Sequence, residues 1–162
     1  MVLMIKRLFF VKATINKVTL NSLKNSPYYC EAINEIVYDF GTFYMFETFI
    51  VAEINEGIVF TWEDQAEIAS REILDLYDSD GHDIIYISNR INNYAVMPSD
   101  WVKFFKNNFR MKGYAMVNYT KSGHVNSLLE KLFISHKSKR FNSLKDAVQW
   151  AKSKGESKAI AS

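Results

Sequence analysis

Asp83-Ile84-Ile85-Tyr86-Ile87-Ser88-Asn89-Arg90, at the middle of the chain, is an apolar run that ends in small polar residues. A short run rich in Ile and Tyr reads as a buried strand, and the turn residues Asp78-Ser79-Asp80-Gly81 mark its start. A loop from Ser88 to Tyr94 follows, and a helix begins at about Pro98. A strand set between helices in this way is the central parallel strand of an open sheet, and such sheets take ligands at the carboxyl ends of their strands. No glycine-rich cradle for a phosphate follows the run, and no cysteine or histidine cluster lies near it in the sequence. The block speaks for a fold more than for an activity.

Upstream, the residues between Glu35 and Phe60 read as strands throughout. Ile36, Tyr38 and Phe40 alternate before Gly41, Phe43 to Ile54 is a second β-rich stretch, and Glu56-Gly57 turns the chain into Ile58-Val59-Phe60. Local pairing of these segments gives an antiparallel meander at one side of the sheet. Thr61-Trp62-Glu63-Asp64 opens a helix, with Thr61 as N-cap and Asp64 completing a capping box. Its apolar stripe is Ala66, Ala69, Ile73, Leu76 and Tyr77.

Downstream the alternation continues. Pro98-Ser99-Asp100 starts a helix with Trp101, Val102, Phe104 and Phe105, and Gly113 to Tyr119 is a strand. Ser122 to Phe133 is a helix with Val125, Leu128, Leu129 and Leu132 on the apolar face and Asn126 and Glu130 outside it. Arg140-Phe141 is a short strand, and Asn142 or Ser143 caps a last helix with Leu144, Ala147, Val148 and Ala151 on one side. The order predicts an α/β fold with a mixed sheet, N-terminal antiparallel strands being followed by alternating helices and strands with right-handed crossovers. It divides the chain into a partly irregular N-terminal extension (1–31), a folded domain (32–153) and a flexible tail (154–162).

The chain has 162 residues, of which twelve Phe, nine Tyr and three Trp supply bulk for one hydrophobic core. A formal charge of +2, with its excess in His136 to Arg140 and Lys152 to Lys158, is too small and scattered a footprint for nucleic acid. Trp62, Trp101, Phe104, Phe105, Phe109 and Trp150 lie mainly on helical faces that suit core packing, not base stacking. Cys30 is alone, in keeping with a reducing cytoplasm. Met1 to Val11 is apolar but interrupted by Lys6 and Arg7, and is too short to span a bilayer; it reads as an irregular extension, with an amphipathic membrane contact as the alternative. His82, His124 and His136 have no metal-ligand spacing, and Glu63, Asp64 and Glu67 suit capping and a wet helical face. No metal or organic cofactor is expected.

Ile84-Ile85-Tyr86-Ile87-Ser88-Asn89-Arg90, the element order from Glu35 to Lys152, and Phe141-Asn142-Ser143-Leu144-Lys145-Asp146-Ala147-Val148-Gln149-Trp150 together resemble the STAS fold of SpoIIAA-like anti-sigma-factor antagonists. The closing string looks like the last strand and helix of small bacterial STAS-like proteins. The resemblance implies a non-catalytic regulatory module that binds a protein partner. Phosphorylatable members carry an Asp-Ser-Ser-Gly-type loop after a central strand; here the region is Ser88-Asn89-Arg90-Ile91-Asn92-Asn93-Tyr94, so that Ser88 is the nearest match and Ser99 the next, neither in a Ser-Gly context.

Three readings of Ser88 to Tyr94 stand beside one another. Ser88 and Asn89 satisfy backbone groups while Arg90 faces solvent; or Ser88, Asn89, Arg90, Asn92, Asn93 and Tyr94 form a recognition surface; or the loop borders the cleft of a small-ligand-binding domain or weak enzyme. A deep pocket with convergent polar groups favours the last and a shallow surface the second. The Phe- and Tyr-rich early strands add a homodimer to the expectations.

Overall fold

The computed structural model describes residues 20–134 and 137–156, without the side chains of 124 and 125. Two short 3-10 turns, Leu23–Asn25 and Tyr29–Glu31, lead into β1 (Asn34–Tyr38), β2 (Gly41–Met45) and β3 (Phe49–Ile54). These three pair antiparallel, with Ile36 opposite Phe43 and Phe43 opposite Ala52. The stretch Phe43 to Ile54 is thus two strands, closed by a hairpin in which Phe46 N–H donates to the Phe49 carbonyl.

After β4 (Val59–Phe60) the chain enters a wide π-turn, Trp62–Ala66, which runs into α1 (Glu67–Leu76). The cap is reciprocal but shifted from the expected box. Thr61 Oγ1 accepts from Asp64 N–H, while Gln65 Oε1, not Asp64, accepts from Thr61 N–H at 2.8 Å. The wide turn, in which Ala66 N–H reaches back to the Thr61 carbonyl, brings residue 65 to that position. Gly81 then takes φ +96, and a Cβ there would lie 2.1 Å from the Arg110 carbonyl oxygen. Only glycine allows this approach of the turn to the loop before the next parallel strand but one.

β5 (Ile85–Arg90), β6 (Ala95–Val96), α2 (Asp100–Lys106), β7 (Gly113–Asn118), α3 (Lys121–Ile134), β8 (Ser138–Phe141) and α4 (Leu144–Glu156) complete the order. Ser143 caps α4 by accepting from Asp146 N–H. The main sheet has six strands in the order β1-β2-β3-β5-β7-β8, antiparallel over the first three and parallel from β3 onward, while β4 and β6 form a separate parallel pair. The expected mixed α/β sheet is present. Its parallel strands advance in one direction, so right-handed crossovers place their helices on one face. Accordingly Ala69 and Ile73 of α1 pack on Phe43, Ile50 and Ile54, and Trp101 and Phe104 of α2 and Ile134 of α3 pack on Tyr114 and Met116. On the other face Leu144, Ala147, Val148 and Ala151 of α4 cover Val51, Ile87 and Val117.

Leu23, fully buried, belongs to that second core, so packed structure reaches upstream of Ala32. At the other end α4 continues through Glu156. The apolar segment Met1 to Val11, His136 and the end of the tail lie outside the described residues.

Candidate functional site

Ser88, Asn89 and Arg90 are not in a loop: they are the last three residues of β5, with β7 partners Met116, Val117 and Asn118. Side chains alternate across a strand, so the sheet separates them. Ser88 and Arg90 point to the face under α1, α2 and α3, and Asn89 to the face under α4.

On the first face Arg90 is an internal residue, contrary to the expectation of a solvent-facing cation. Its side chain is 7% exposed and pairs with Glu130 of α3, whose side chain is 1% exposed. Arg90 also donates to Tyr114 Oη at 3.1 Å and, through Nε, to Ser88 Oγ at 3.3 Å. The second oxygen of Glu130 accepts from Tyr114 Oη at 2.9 Å and from Trp101 Nε1 at 3.3 Å. Tyr94 closes the cluster: its hydroxyl lies 2.8 Å from Ser88 Oγ, and the Arg90 guanidinium sits 5.6 Å from its ring centroid. Burial acts against the charge of Arg90, but Tyr94, Tyr114 and Glu130 outweigh it and the guanidinium is held more strongly protonated than usual. Burial raises the hydroxyl pKa values of Tyr114 and Tyr94 as well.

On the other face Asn89 donates to Glu53 Oε1 at 2.7 Å and to the Asn21 carbonyl at 3.0 Å, and it accepts from Tyr119 Oη at 2.7 Å. Glu53 further accepts from Leu23 N–H and Ser22 Oγ. Burial pushes its carboxyl up, against the pull of these donors. This network clips the N-terminal turns to the sheet.

Of the other residues proposed from sequence, Asn92 donates to the Ile54 carbonyl, and Asn93 N–H donates to Glu56. Both pin the segment after β5 to the connection between β3 and β4. Ser88 is 1% exposed, whereas Ser99 is exposed before α2. Ser88, Arg90 and Tyr94 come together; Asn89, Asn92 and Asn93 serve other contacts. Ser88 is bonded to Tyr94 and Arg90, with no proton acceptor of a base in contact among the described residues. No group of three or more His, Cys, Asp or Glu among the described residues is arranged to hold a metal. His82 is exposed and lies 2.7 Å from Asp80.

The sequence reading did not find Glu130, Tyr114, Trp101 or Glu53 as members of these clusters, and it placed α3 the wrong way round. Ser127, Glu130 and Ile134 face inward, whereas Leu128, Leu129, Leu132 and Phe133 are 48%, 51%, 78% and 41% exposed. The apolar stripe exists, but it faces solvent. On α2, Val102 and Phe105 are exposed too, while Trp62 is buried as expected. No helix among the described residues is long and apolar enough to cross a membrane.

No protein-family model matches the chain, and neither a curated protein nor a solved structure gives a significant match.

Proposed function

We propose that the protein is a non-catalytic STAS-like interaction module of regulatory type that acts in the cytoplasm and pairs with a second copy of itself through the outer face of α3. The carrying observation is the outward stripe Leu128, Leu129, Leu132 and Phe133. The element order, and the run from β8 into α4, support the STAS-like reading. The internal use of Arg90 and Ser88 favours α3 over the end of β5 as the docking surface proposed here.

Area favours a second copy as occupant. Residues of this size, at the exposures seen, leave roughly 400 Å² of apolar surface on α3, and Val102 and Phe105 bring the sum to roughly 500 Å². A stable dimer buries about 800 Å² per partner, about 65% of it apolar, which is the same apolar area. Two such stripes can meet about a two-fold axis, each leucine filling the partner's groove.

Light scattering over a concentration series tests the reading with Leu129→Lys/Leu132→Lys beside the parent. Both positions point outward, so the variant should keep its circular dichroism. The parent should show a dimer mass and the variant a monomer mass. A parent that stays monomeric to high concentration, or a folded variant that still dimerises, rejects the assignment.

A further inference from the structure

Charge is segregated along this chain. Residues 31–100 hold fifteen Asp and Glu against two Arg, whereas residues 101–162 hold thirteen Lys and Arg against three acids. Strand order across the main sheet follows sequence order, so this division becomes a division in space, with β8 as the edge strand of the basic half. Two basic stretches that are apart in sequence meet there. Lys137 Nζ donates to the Met111 carbonyl at 3.4 Å, and Lys112 Nζ donates to the Lys154 carbonyl near the end of α4. Between them lies Gly113. A Cβ at this position would come within 2.9 Å of Trp150 and 3.6 Å of the Lys137 carbonyl, so its absence lets the indole lie against the start of β7.

Along β8, Lys139 and Arg140 are exposed and, by the alternation of a strand, project on opposite sides of the sheet. The Lys139 ammonium sits 5.3 Å from the ring centroid of Phe141, whose ring is 5.6 Å from that of Trp150, and both rings are half-buried. No carboxylate among the described residues pairs with Lys112, Lys137, Lys139 or Arg140. Elsewhere the cations are matched: Lys24, Arg71, Arg90, Lys103 and Lys152 each hold a carboxylate. The β8 edge is thus a row of cations without counter-charges, interleaved with two rings.

We infer that the β8 edge is a binding site for single-stranded nucleic acid, held through its phosphates by Lys112, Lys137, Lys139 and Arg140, with Phe141 and Trp150 beside them to receive bases. Such a row neutralises a phosphate backbone and releases its condensed counterions. The interleaved rings decide for a single strand, whose bases are open to stacking, over a duplex, whose bases are already stacked. They decide against a bilayer as well, because half-buried rings offer no apolar face to enter the headgroup layer. The acidic half of the molecule repels the same backbone and so confines it to this edge. The inference is independent of self-association, which uses the outer face of α3.

Anisotropy of an end-labelled oligodeoxythymidine titrated with the full chain at several salt concentrations tests it. With four phosphate contacts, log K should fall with log salt at a slope of about −2.8, a loss of about fiftyfold between about 50 and 200 mM. Lys139→Gln/Arg140→Gln changes two exposed side chains, so it should keep the circular dichroism and halve the slope to about −1.4. Lys24→Gln/Lys152→Gln removes the same charge from cations that already hold carboxylates, and should leave the slope as in the parent. No binding to the parent at low salt, or equal slopes for the parent and Lys139→Gln/Arg140→Gln, overturns the site. An equal loss in Lys24→Gln/Lys152→Gln shows attraction by net charge alone and overturns it too. A duplex of the same length, or polyglutamate, that binds as tightly as the single strand overturns the choice of ligand.

Discussion

Glu130→Gln is the most informative single change, because it removes a charge and little else. The carboxylate is fully buried and shared among Arg90, Tyr114 and Trp101. Glutamine preserves volume and keeps one acceptor for Tyr114 or Trp101, but leaves the Arg90 guanidinium in the interior without a counter-charge. Breaking a buried ion pair in this way costs about 3–5 kcal/mol. A chain of 162 residues loses about 2–4 °C of Tm per kcal/mol, so the midpoint should fall by roughly 10 °C. Arg90→Met/Glu130→Gln removes both charges, fills the space of the guanidinium stem, and should recover most of the loss. Equilibrium urea unfolding of the parent, both single variants and the double at neutral pH gives the coupling directly. A cost below about 1 kcal/mol for Glu130→Gln, or a double variant no more stable than Glu130→Gln, refutes the view that a buried charge pair sets α3 in place.

Two further outcomes follow from buried polar groups elsewhere. Glu53 has a raised carboxyl pKa because of burial; the folded state therefore holds its proton more tightly than the unfolded chain, and this contribution to stability is full below the ordinary carboxylate range and is lost as pH rises through the folded-state value. Unfolding of the parent and Glu53→Gln between pH 4 and 7 should show the parent losing stability relative to the variant as pH rises, and parallel curves would contradict this. Asn118, at the end of β7, is 2% exposed and neither amide atom has a partner among the described residues. Asn118→Val replaces it with a side chain that suits a strand and should stabilise the fold by about 1–3 kcal/mol, measurable as a shift of the urea midpoint; a destabilised variant would count against the amide being unsatisfied.

The sheet was legible because its signals are local. The Ile and Tyr run of β5, the alternation of β1 and the caps at Thr61 and Ser143 each act within a few residues. The end of β5 was not, since Ser88, Asn89 and Arg90 have the composition of a loop. They remain in the strand because most of their partners come from afar: Glu130 on one face, Glu53 and Tyr119 on the other. The same distance explains α3. A period of 3.6 residues defines an apolar stripe and an opposite polar stripe, but says nothing about which one meets the sheet. Ordinarily hydrophobic burial decides it in favour of the leucines. Here Arg90 stands on the sheet beneath the helix, and a buried guanidinium without a carboxylate costs more than a few half-exposed leucines. Glu130 therefore turns inward, and Leu128, Leu129, Leu132 and Phe133 are carried outward on the same helix. The buried pair and the exposed stripe are two sides of one orientation: the charge on β5 draws Glu130 inward, and the apolar residues of α3 face outward as a result.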